Sequence, residues 1–235
     1  TTNTFRTTQR AFLKTGIDNE KASHLAKNCL IKAVDMAKKA TDSSIMVIGS
    51  IAPLEDCYRP DLFPGKDIAI SEFFQLGKWF SDAGVDILML ETMNSMVEAG
   101  VALEALNDFE FPIWVSFILK NDSCLLSGDS LADAVTLLND YNVSTALVNC
   151  SPLYRTKRSV DIVVDNWGGA WGIYPNLGKG EPSPNGNIKE YQPMEKYLSV
   201  IEHALNSGAS VVGACCGSSP EHIAEIKKLQ YDFSE

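Results

Sequence analysis

The chain has 235 residues, of which 45% are hydrophobic and 21% are charged. This balance is typical of a globular protein and excludes disordered, collagen-like and fibrous classes. The 20 Lys and Arg residues are outnumbered by 30 Asp and Glu residues, which gives a formal net charge of −10. Phosphate contacts need basic residues, and a membrane span needs about 18 consecutive apolar residues. We therefore expect a small-molecule partner, and neither nucleic acid nor a membrane.

The cysteines do not suggest a disulfide framework. Six of them are scattered along the chain: Cys29, Cys57, Cys124, Cys150, Cys215 and Cys216. A chain of this length buries an adequate core without covalent staples. Free thiols are typical of reducing compartments, so we expect a cytoplasmic protein.

Short apolar runs alternate with helical stretches along the sequence. The runs that favour β-strands are 44–50, 86–92, 112–119, 143–149, 170–174 and 209–214, and residues 1–5 resemble the tail of another strand. The stretches that favour helices are 19–39, 68–83, 96–106, 130–141, 155–166, 193–206 and 220–229. Strands that are apolar throughout are typical of parallel sheets covered on both faces. The alternation fits a doubly wound sheet or an eight-fold (β/α)8 barrel, and periodicity alone does not choose between them.

Polar residues follow several predicted strands at their carboxyl ends. Glu91, Cys150, Asn176 and Cys215 all hold such positions. In a barrel these ends form one rim, on which the active site is built. The long irregular stretch 176–192 also follows a strand, which predicts a mobile active-site loop. This placement favours the barrel.

Three cysteines at strand ends indicate a metal site. Cys150 and the Cys215-Cys216 pair close two strands that are separated by one strand. Zinc prefers sulfur ligands, and catalytic zinc sites use three protein ligands with a fourth position left open. A free cysteine is more often a small buried hydrophobe. However, Gly213 and Gly217 near the pair let the backbone turn closely, and adjacent cysteines rarely form a strain-free disulfide. A shared zinc ion is the simpler interpretation.

Six short blocks then occur in a recognisable order. They are 2–5 (TNTF), 49–53 (GSIAP), 90–92 (LET), 148–151 (VNCS), 174–176 (YPN) and 213–222 (GACCGSSPEH). Together they resemble the homocysteine S-methyltransferase family over essentially the whole chain. The Asn-Cys block followed by a distant Gly-x-Cys-Cys-Gly block is the most specific part of this resemblance.

The resemblance implies a (β/α)8 TIM barrel whose zinc ion is bound by Cys150, Cys215 and Cys216. Zinc would bind the homocysteine thiolate, which attacks the methyl group of a donor to form methionine. No catalytic residue is expected beyond this zinc site.

The resemblance also suggests how the substrate is held. Glu91 matches the glutamate that binds the amino-acid part of homocysteine. Asn149 and Asn3 are further candidates for substrate binding, and Phe5 is a candidate for the pocket wall. Asparagines at strand ends also serve simply to satisfy turn backbone, and a phenylalanine also serves as core.

The family's first strand and helix have no counterpart, because Thr1 enters at the close of the second strand. We expect a single homocysteine-binding barrel domain over residues 1–235 that lacks its first strand and helix. Unpaired strand edges favour aggregation, so we expect the 235-residue chain alone to be poorly stable and weakly active.

The methyl donor is expected to be small, a sulfonium such as S-methylmethionine, or betaine. One alternative function is the homocysteine-activating module of a folate- and cobalamin-dependent methionine synthase. Another is a non-catalytic zinc- or thiol-binding protein. A redox role for Cys215-Cys216 is disfavoured because the pair lacks the Cys-x-x-Cys spacing. The sequence predicts no particular oligomeric state.

Overall fold

The computed structural model describes residues 1–179 and 188–232. Its described strands form one six-stranded sheet in the order β1-β2-β3-β4-β5-β6. The strands are β1 (Ile48–Ile51), β2 (Ile87–Met93), β3 (Ile113–Phe117), β4 (Val143–Pro152), β5 (Ala170–Asn176) and β6 (Val211–Val212). The α-helices are α1 (Gln9–Leu13), α2 (Asn19–Ala40), α3 (Lys66–Ala83), α4 (Met96–Leu106), α5 (Leu131–Leu137), α6 (Leu153–Asn166), α7 (Met194–Asn206) and α8 (Pro220–Asp232).

The prediction of an α/β fold built on parallel strands is confirmed. The β1–β2, β4–β5 and β5–β6 pairs are all parallel. The helix predicted over 130–141 is shorter than expected, because α5 gives way to a 3-10 turn at Leu138–Asp140. The opening segment is not a strand: it is irregular, although the Thr2 N–H donates to the Ile48 carbonyl at 2.9 Å. Closure into a (β/α)8 barrel remains a prediction.

The chain divides into two compact units. Unit 1 comprises residues 1–115 and 139–144, and unit 2 comprises residues 116–138 and 145–235. In unit 1, β1 and β2 pair from Ile48 and Ile87 onward. Phe80 on α3 packs against β1 so closely that a Cβ at Gly49 would lie 2.7 Å from its ring. The unit 1 core is therefore built from helix side chains that cover short apolar strands.

Unit 2 contains β4, β5 and β6. A Cβ on Gly172 of β5 would lie 1.9 Å from the Val211 carbonyl oxygen, so only glycine permits β6 to pair here. The register between β4 and β5 shifts between Asn149 and Pro152. This irregularity bends the carboxyl end of β4, and a bulge is a common means of directing a side chain at a functional site.

The active-site loop predicted over 176–192 is described only at its two ends, because residues 180–187 lie outside the described part of the chain. At its base the two ends pair. The Lys179 N–H donates to the Glu190 carbonyl at 2.9 Å, and the Gln192 N–H donates to the Leu177 carbonyl at 2.7 Å.

Among the described residues, none of the helices combines the length and the apolar character that a membrane span requires.

Candidate metal centre

Cys150 lies at the bent end of β4 in an unusual backbone conformation. Its φ is 47°, in the left-handed region that L-residues other than glycine rarely adopt. A strained residue of this kind persists only when its surroundings hold it. Asn176, at the end of β5, supplies part of that hold, because its buried Nδ2 donates to the Cys150 carbonyl at 2.8 Å. The Asn176 Oδ1 in turn accepts the Gly178 N–H at 3.0 Å.

Cys215 and Cys216 follow β6 and are positioned by main-chain hydrogen bonds to β5 and the residue after it. The Cys215 N–H donates to the Pro175 carbonyl, and the Cys216 carbonyl accepts the Leu177 N–H, both at 3.0 Å. Gly217 then turns the chain with a φ of 83°. The two adjacent thiols are thereby fixed to the same strand end that holds Cys150.

A buried tyrosine also fixes this segment. Tyr197 on α7 is fully buried, and its hydroxyl donates to the Gly213 carbonyl at 2.7 Å. Burial first, and then the electrostatic interaction with the Cys215 thiol group, raise the pKa of Tyr197, so its hydroxyl stays protonated and remains a donor. The ring meets His222 edge-on at 5.5 Å. Tyr197 therefore connects the start of the cysteine segment to α7.

The three thiols lie together as the sequence pattern predicts. The Sγ atoms of Cys150, Cys215 and Cys216 all lie within 4.8 Å of one another. The Sγ of Cys216 is 3.4 Å from that of Cys150 and 3.9 Å from that of Cys215. A tetrahedral zinc ion with Zn–S bonds of ~2.3 Å places its sulfurs ~3.8 Å apart. The donor set and its spacing therefore fit a thiophilic metal ion.

Exposure differs among the three thiols. Cys150 is buried, Cys215 is half-buried and Cys216 is exposed. Within the described ranges, the group of side chains that could hold a metal ion consists of these three thiols alone. A site with three protein ligands and one exposed side leaves room for an external ligand.

Hydrogen bonding among the thiols separates their proton affinities. Hydrogen bonds from Cys150 and Cys215 lower the pKa of Cys216 to about 3. Hydrogen bonds with Cys150 and Cys216, followed by burial, raise the pKa of Cys215. The cluster therefore holds a negative charge at the exposed Cys216, which attracts a cation, and a bound metal ion deprotonates coordinating thiols.

Glu91, the predicted substrate carboxylate, lies in β2 of unit 1. It is half-buried, and the Ser50 hydroxyl donates to its Oε2. Thr92, the next residue, has a φ of 62°. The end of β2 thus combines a partly accessible carboxylate with a turned backbone, which is common at ligand-binding positions.

The other predicted substrate residues differ in accessibility. Asn149 is fully buried, and its Oδ1 accepts the Ser116 hydroxyl at 2.7 Å. Asn3 is exposed. Phe5 is half-buried, with the Arg6 guanidinium 5.2 Å from its ring centroid. The structure places Asn149 beside Cys150 in β4 and places Asn3, Phe5 and Glu91 in unit 1.

A buried carboxylate that the sequence analysis did not single out contacts the loop that follows β1. Glu98 on α4 is buried, and its Oε1 accepts the Leu54 N–H at 2.8 Å. Burial raises the pKa of Glu98. Nearby, the buried Asn94 donates to the Cys57 carbonyl at 3.1 Å. These two side chains fix the loop that follows β1. The spacing of Ser95 and Glu98 predicts a helix start, and the contact between Glu98 and Leu54, 44 residues apart, has no local sequence signal.

Comparison with known proteins identifies the family. A model of the homocysteine S-methyltransferase family matches residues 1–229. The chain belongs to the homocysteine S-methyltransferase family. The resemblance drawn from the six sequence blocks is therefore confirmed.

Curated relatives agree with this family. The chain is similar to homocysteine S-methyltransferase YbgG of Bacillus subtilis (strain 168), with 29% identity over 147 residues, 62% of this chain and 47% of the relative. It is also similar to homocysteine S-methyltransferase 1 of Zea mays, with 27% identity over 157 residues, 63% of this chain and 48% of the relative. The chain spans about half the length of these two relatives.

The same family appears among solved structures. The metallated form of the homocysteine methyltransferase MmuM from Escherichia coli superposes with a TM-score of 0.81 and 26% identity, covering 97% of this chain and 78% of that chain. MmuM therefore shares the fold of this family member, and it has been crystallised with a metal.

Proposed function

We propose that this member of the homocysteine S-methyltransferase family is a zinc-dependent methyltransferase. It moves a methyl group from a small donor, a sulfonium such as S-methylmethionine or else betaine, to the thiolate of homocysteine, and so forms methionine. The observation that carries the proposal is the three-thiol cluster of Cys150, Cys215 and Cys216, within 4.8 Å, in a chain that matches the family over residues 1–229.

Zinc is the proposed metal because three closely spaced sulfurs suit it better than they suit magnesium or calcium, which prefer oxygen. When bound, zinc supplies a Lewis acid that makes a coordinated substrate thiol a thiolate at neutral pH. The three cysteines would hold the metal as thiolates, and the exposure of Cys216 would leave that side of the cluster accessible to the substrate sulfur. Methyl transfer is an in-line displacement, so alignment of thiolate and donor is the remaining requirement.

Glu91 is proposed to bind the ammonium group of homocysteine. An ionised carboxylate accepts charge-assisted hydrogen bonds, which are about twice as strong as neutral ones. Its partial exposure supports this role, because a ligand reaches a half-buried carboxylate. Substrate contacts by Asn149, Asn3 and Phe5 stay predictions, and the buried Asn149 amide is already bonded to Ser116.

Two finer properties belong to the same proposal. The parallel strands, ordered along the sheet as they are along the chain, support a (β/α)8 barrel as the complete architecture. A zinc site of three thiolates suits a reducing compartment such as the cytoplasm, because oxidised sulfurs do not bind zinc.

The test is a donor panel. Zinc-loaded protein is incubated with homocysteine and one donor at a time: S-methylmethionine, S-adenosylmethionine or betaine. The methionine formed is quantified by mass spectrometry. The proposal expects methionine from one of these donors, and expects none from a Cys215→Ala variant. Zinc binding without methionine from any donor would contradict the methyltransferase assignment and favour the non-catalytic zinc- or thiol-binding alternative.

A further inference from the structure

Three buried hydroxyl residues of unit 1 are linked by hydrogen bonds, and one of them, Ser50, bonds to Glu91. Thr2, Thr4 and Ser50 are each at most 5% exposed. The Thr4 hydroxyl donates to the Ser50 carbonyl at 2.7 Å, and the Ser50 N–H donates to the Thr2 Oγ1 at 3.2 Å. The Thr2 and Thr4 hydroxyls lie 2.8 Å apart. The Ser50 hydroxyl donates to the Glu91 Oε2.

The directions of these hydrogen bonds follow from counting protons. A hydroxyl has one hydrogen, and that of Thr4 is already donated to the Ser50 carbonyl. Thr2 must therefore donate to Thr4, which leaves a Thr2 lone pair for the Ser50 N–H. An ionised carboxylate only accepts, so Ser50 must donate to Glu91. The backbone N–H, the carbonyl and the hydroxyl of Ser50 are thus each engaged in one defined bond.

This arrangement fixes the carboxylate in advance. A glutamate side chain has three rotatable bonds and loses conformational freedom when a ligand immobilises it. Ser50 cannot rotate away without leaving its hydroxyl unbonded in a buried position, which is costly. Thr92, the residue after Glu91, has a φ of 62°, and this constrained backbone restrains the same strand end.

We propose that Ser50 is a positioning residue for homocysteine: its hydroxyl orients the Glu91 carboxylate to accept the ammonium group of the substrate, while Thr2 and Thr4 hold the backbone of Ser50 in place. This inference rests on the proposed function, in which Glu91 binds that group. Ser50 bonds to the carboxylate proposed to bind the ammonium group, so we expect its effect to fall on binding and not on the chemical step.

The first experiment compares Ser50→Ala with the unchanged chain, both zinc-loaded. We expect the Kd for homocysteine measured by calorimetry, and its KM, to rise about 3- to 10-fold, the cost of immobilising one long side chain on binding. We expect kcat and zinc content to stay within twofold. Ser50→Thr keeps the hydroxyl and should restore most of the affinity. The matched control is Ser159→Ala, which removes a buried hydroxyl that donates to the Thr156 carbonyl within α6 and should leave the Kd unchanged.

The second experiment places Ser50→Ala in a Glu91→Ala background. If Ser50 acts through Glu91, it has no further effect on the Kd once the carboxylate is gone. An equal loss in both backgrounds, or no loss in either, overturns the inference. Thr4→Val, which leaves Ser50 in place but removes the donor to its carbonyl, should give a smaller rise in Kd and covers the case in which Ser50→Ala does not fold.

The failure of the proposed function would look different. If Glu91→Ala leaves the Kd for homocysteine unchanged, the role of Glu91 is wrong, and the inference about Ser50 fails with it. If Glu91→Ala weakens binding and Ser50→Ala does not, the proposed function stands and only the inference fails.

Discussion

The ends of β2 and β4 share an unusual backbone conformation but present different chemical groups. Among the described residues, Thr92 and Cys150 are the non-glycine residues with positive φ, at 62° and 47°. At β4 the residue with positive φ, Cys150, is itself a proposed metal ligand, one of a cluster of three thiols. At β2 the residue with positive φ, Thr92, follows Glu91, whose carboxylate is proposed to bind the substrate.

The two ends are also held by different means. The sulfur site is held through its own main chain: the Asn176 side chain donates to the Cys150 carbonyl, and the backbones of Cys215 and Cys216 bond to the backbone of Pro175 and Leu177. A side-chain hydroxyl holds the carboxylate directly. Metal ligation tolerates little displacement of its donors, whereas a carboxylate on a long side chain needs its orientation fixed. We conclude that the backbone sets sulfur positions and that buried hydroxyls set the carboxylate.

The largest expected effect is on the sulfur end. Changing Cys150, Cys215 or Cys216 to Ala removes one of three ligands, so the metal content after zinc loading and gel filtration should fall from about one ion per chain to near zero. Elemental analysis measures this directly. Cys29→Ala, an exposed cysteine on α2, is the matched control and should retain full metal content. A triple variant that keeps its zinc would refute the site.

The next effect breaks the carboxylate end alone. Glu91→Gln removes the charge while keeping the shape, and loss of a charge-assisted hydrogen bond of ~1.5–3 kcal/mol should weaken homocysteine binding by about 10- to 150-fold. Calorimetry on zinc-loaded protein measures the Kd. Because the two ends are held separately, zinc content should not change. A variant that loses zinc as well would show that the two strand ends are not independent.

A smaller effect tests how the sulfur end is held. Asn176→Ala leaves the Cys150 carbonyl without its buried donor, and loss of such a supporting contact should weaken zinc affinity by about 10- to 100-fold. Competition with a chromogenic chelator measures this. Asn166→Ala is the control, because that side chain bonds to the Ile162 carbonyl within its own helix α6. Equal affinities for the two variants would remove Asn176 from the account.

The smallest effect concerns Glu98, a carboxylate that is buried instead of presented. Burial raises its pKa above the ordinary value of 4.5, so the folded chain binds this proton more tightly than the unfolded chain. Its stabilising contribution is complete below that ordinary value and is lost as the pH rises through the raised one. Glu98→Gln keeps the acceptor for Leu54 without the charge, so its urea midpoint should gain on that of the unchanged chain between pH 4 and pH 7. A constant difference across that range would contradict the assignment.

The sequence predicted residues whose chemistry is local and missed those whose partners are distant. Cysteines at strand ends indicate a candidate metal site by their residue type and position alone. The roles of Thr2 and Thr4 depend on Ser50, more than 40 residues away, and no local pattern shows that contact. The opening block drew attention to Asn3, which is exposed, whereas its two threonine neighbours are buried.

The backbone conformation of Cys150 could not be predicted from the sequence either. The left-handed φ of Cys150 is disfavoured for any residue other than glycine, and tertiary contacts such as the Asn176 bond impose it. The turn at Cys215-Cys216 could be predicted from the sequence, because the flanking glycines indicate that the backbone turns closely there. The opening segment resembled a strand by composition, yet it lacks strand geometry and shares a backbone hydrogen bond with β1.

Whether the three thiols form an open zinc site is tested most directly by X-ray absorption at the zinc edge, recorded on the zinc-loaded chain before and after homocysteine is added. We expect three sulfur ligands, from Cys150, Cys215 and Cys216, at ~2.3 Å, and four when the substrate thiol binds. A sulfur count that does not change on addition of homocysteine would show a closed site and would contradict the proposed methyltransferase.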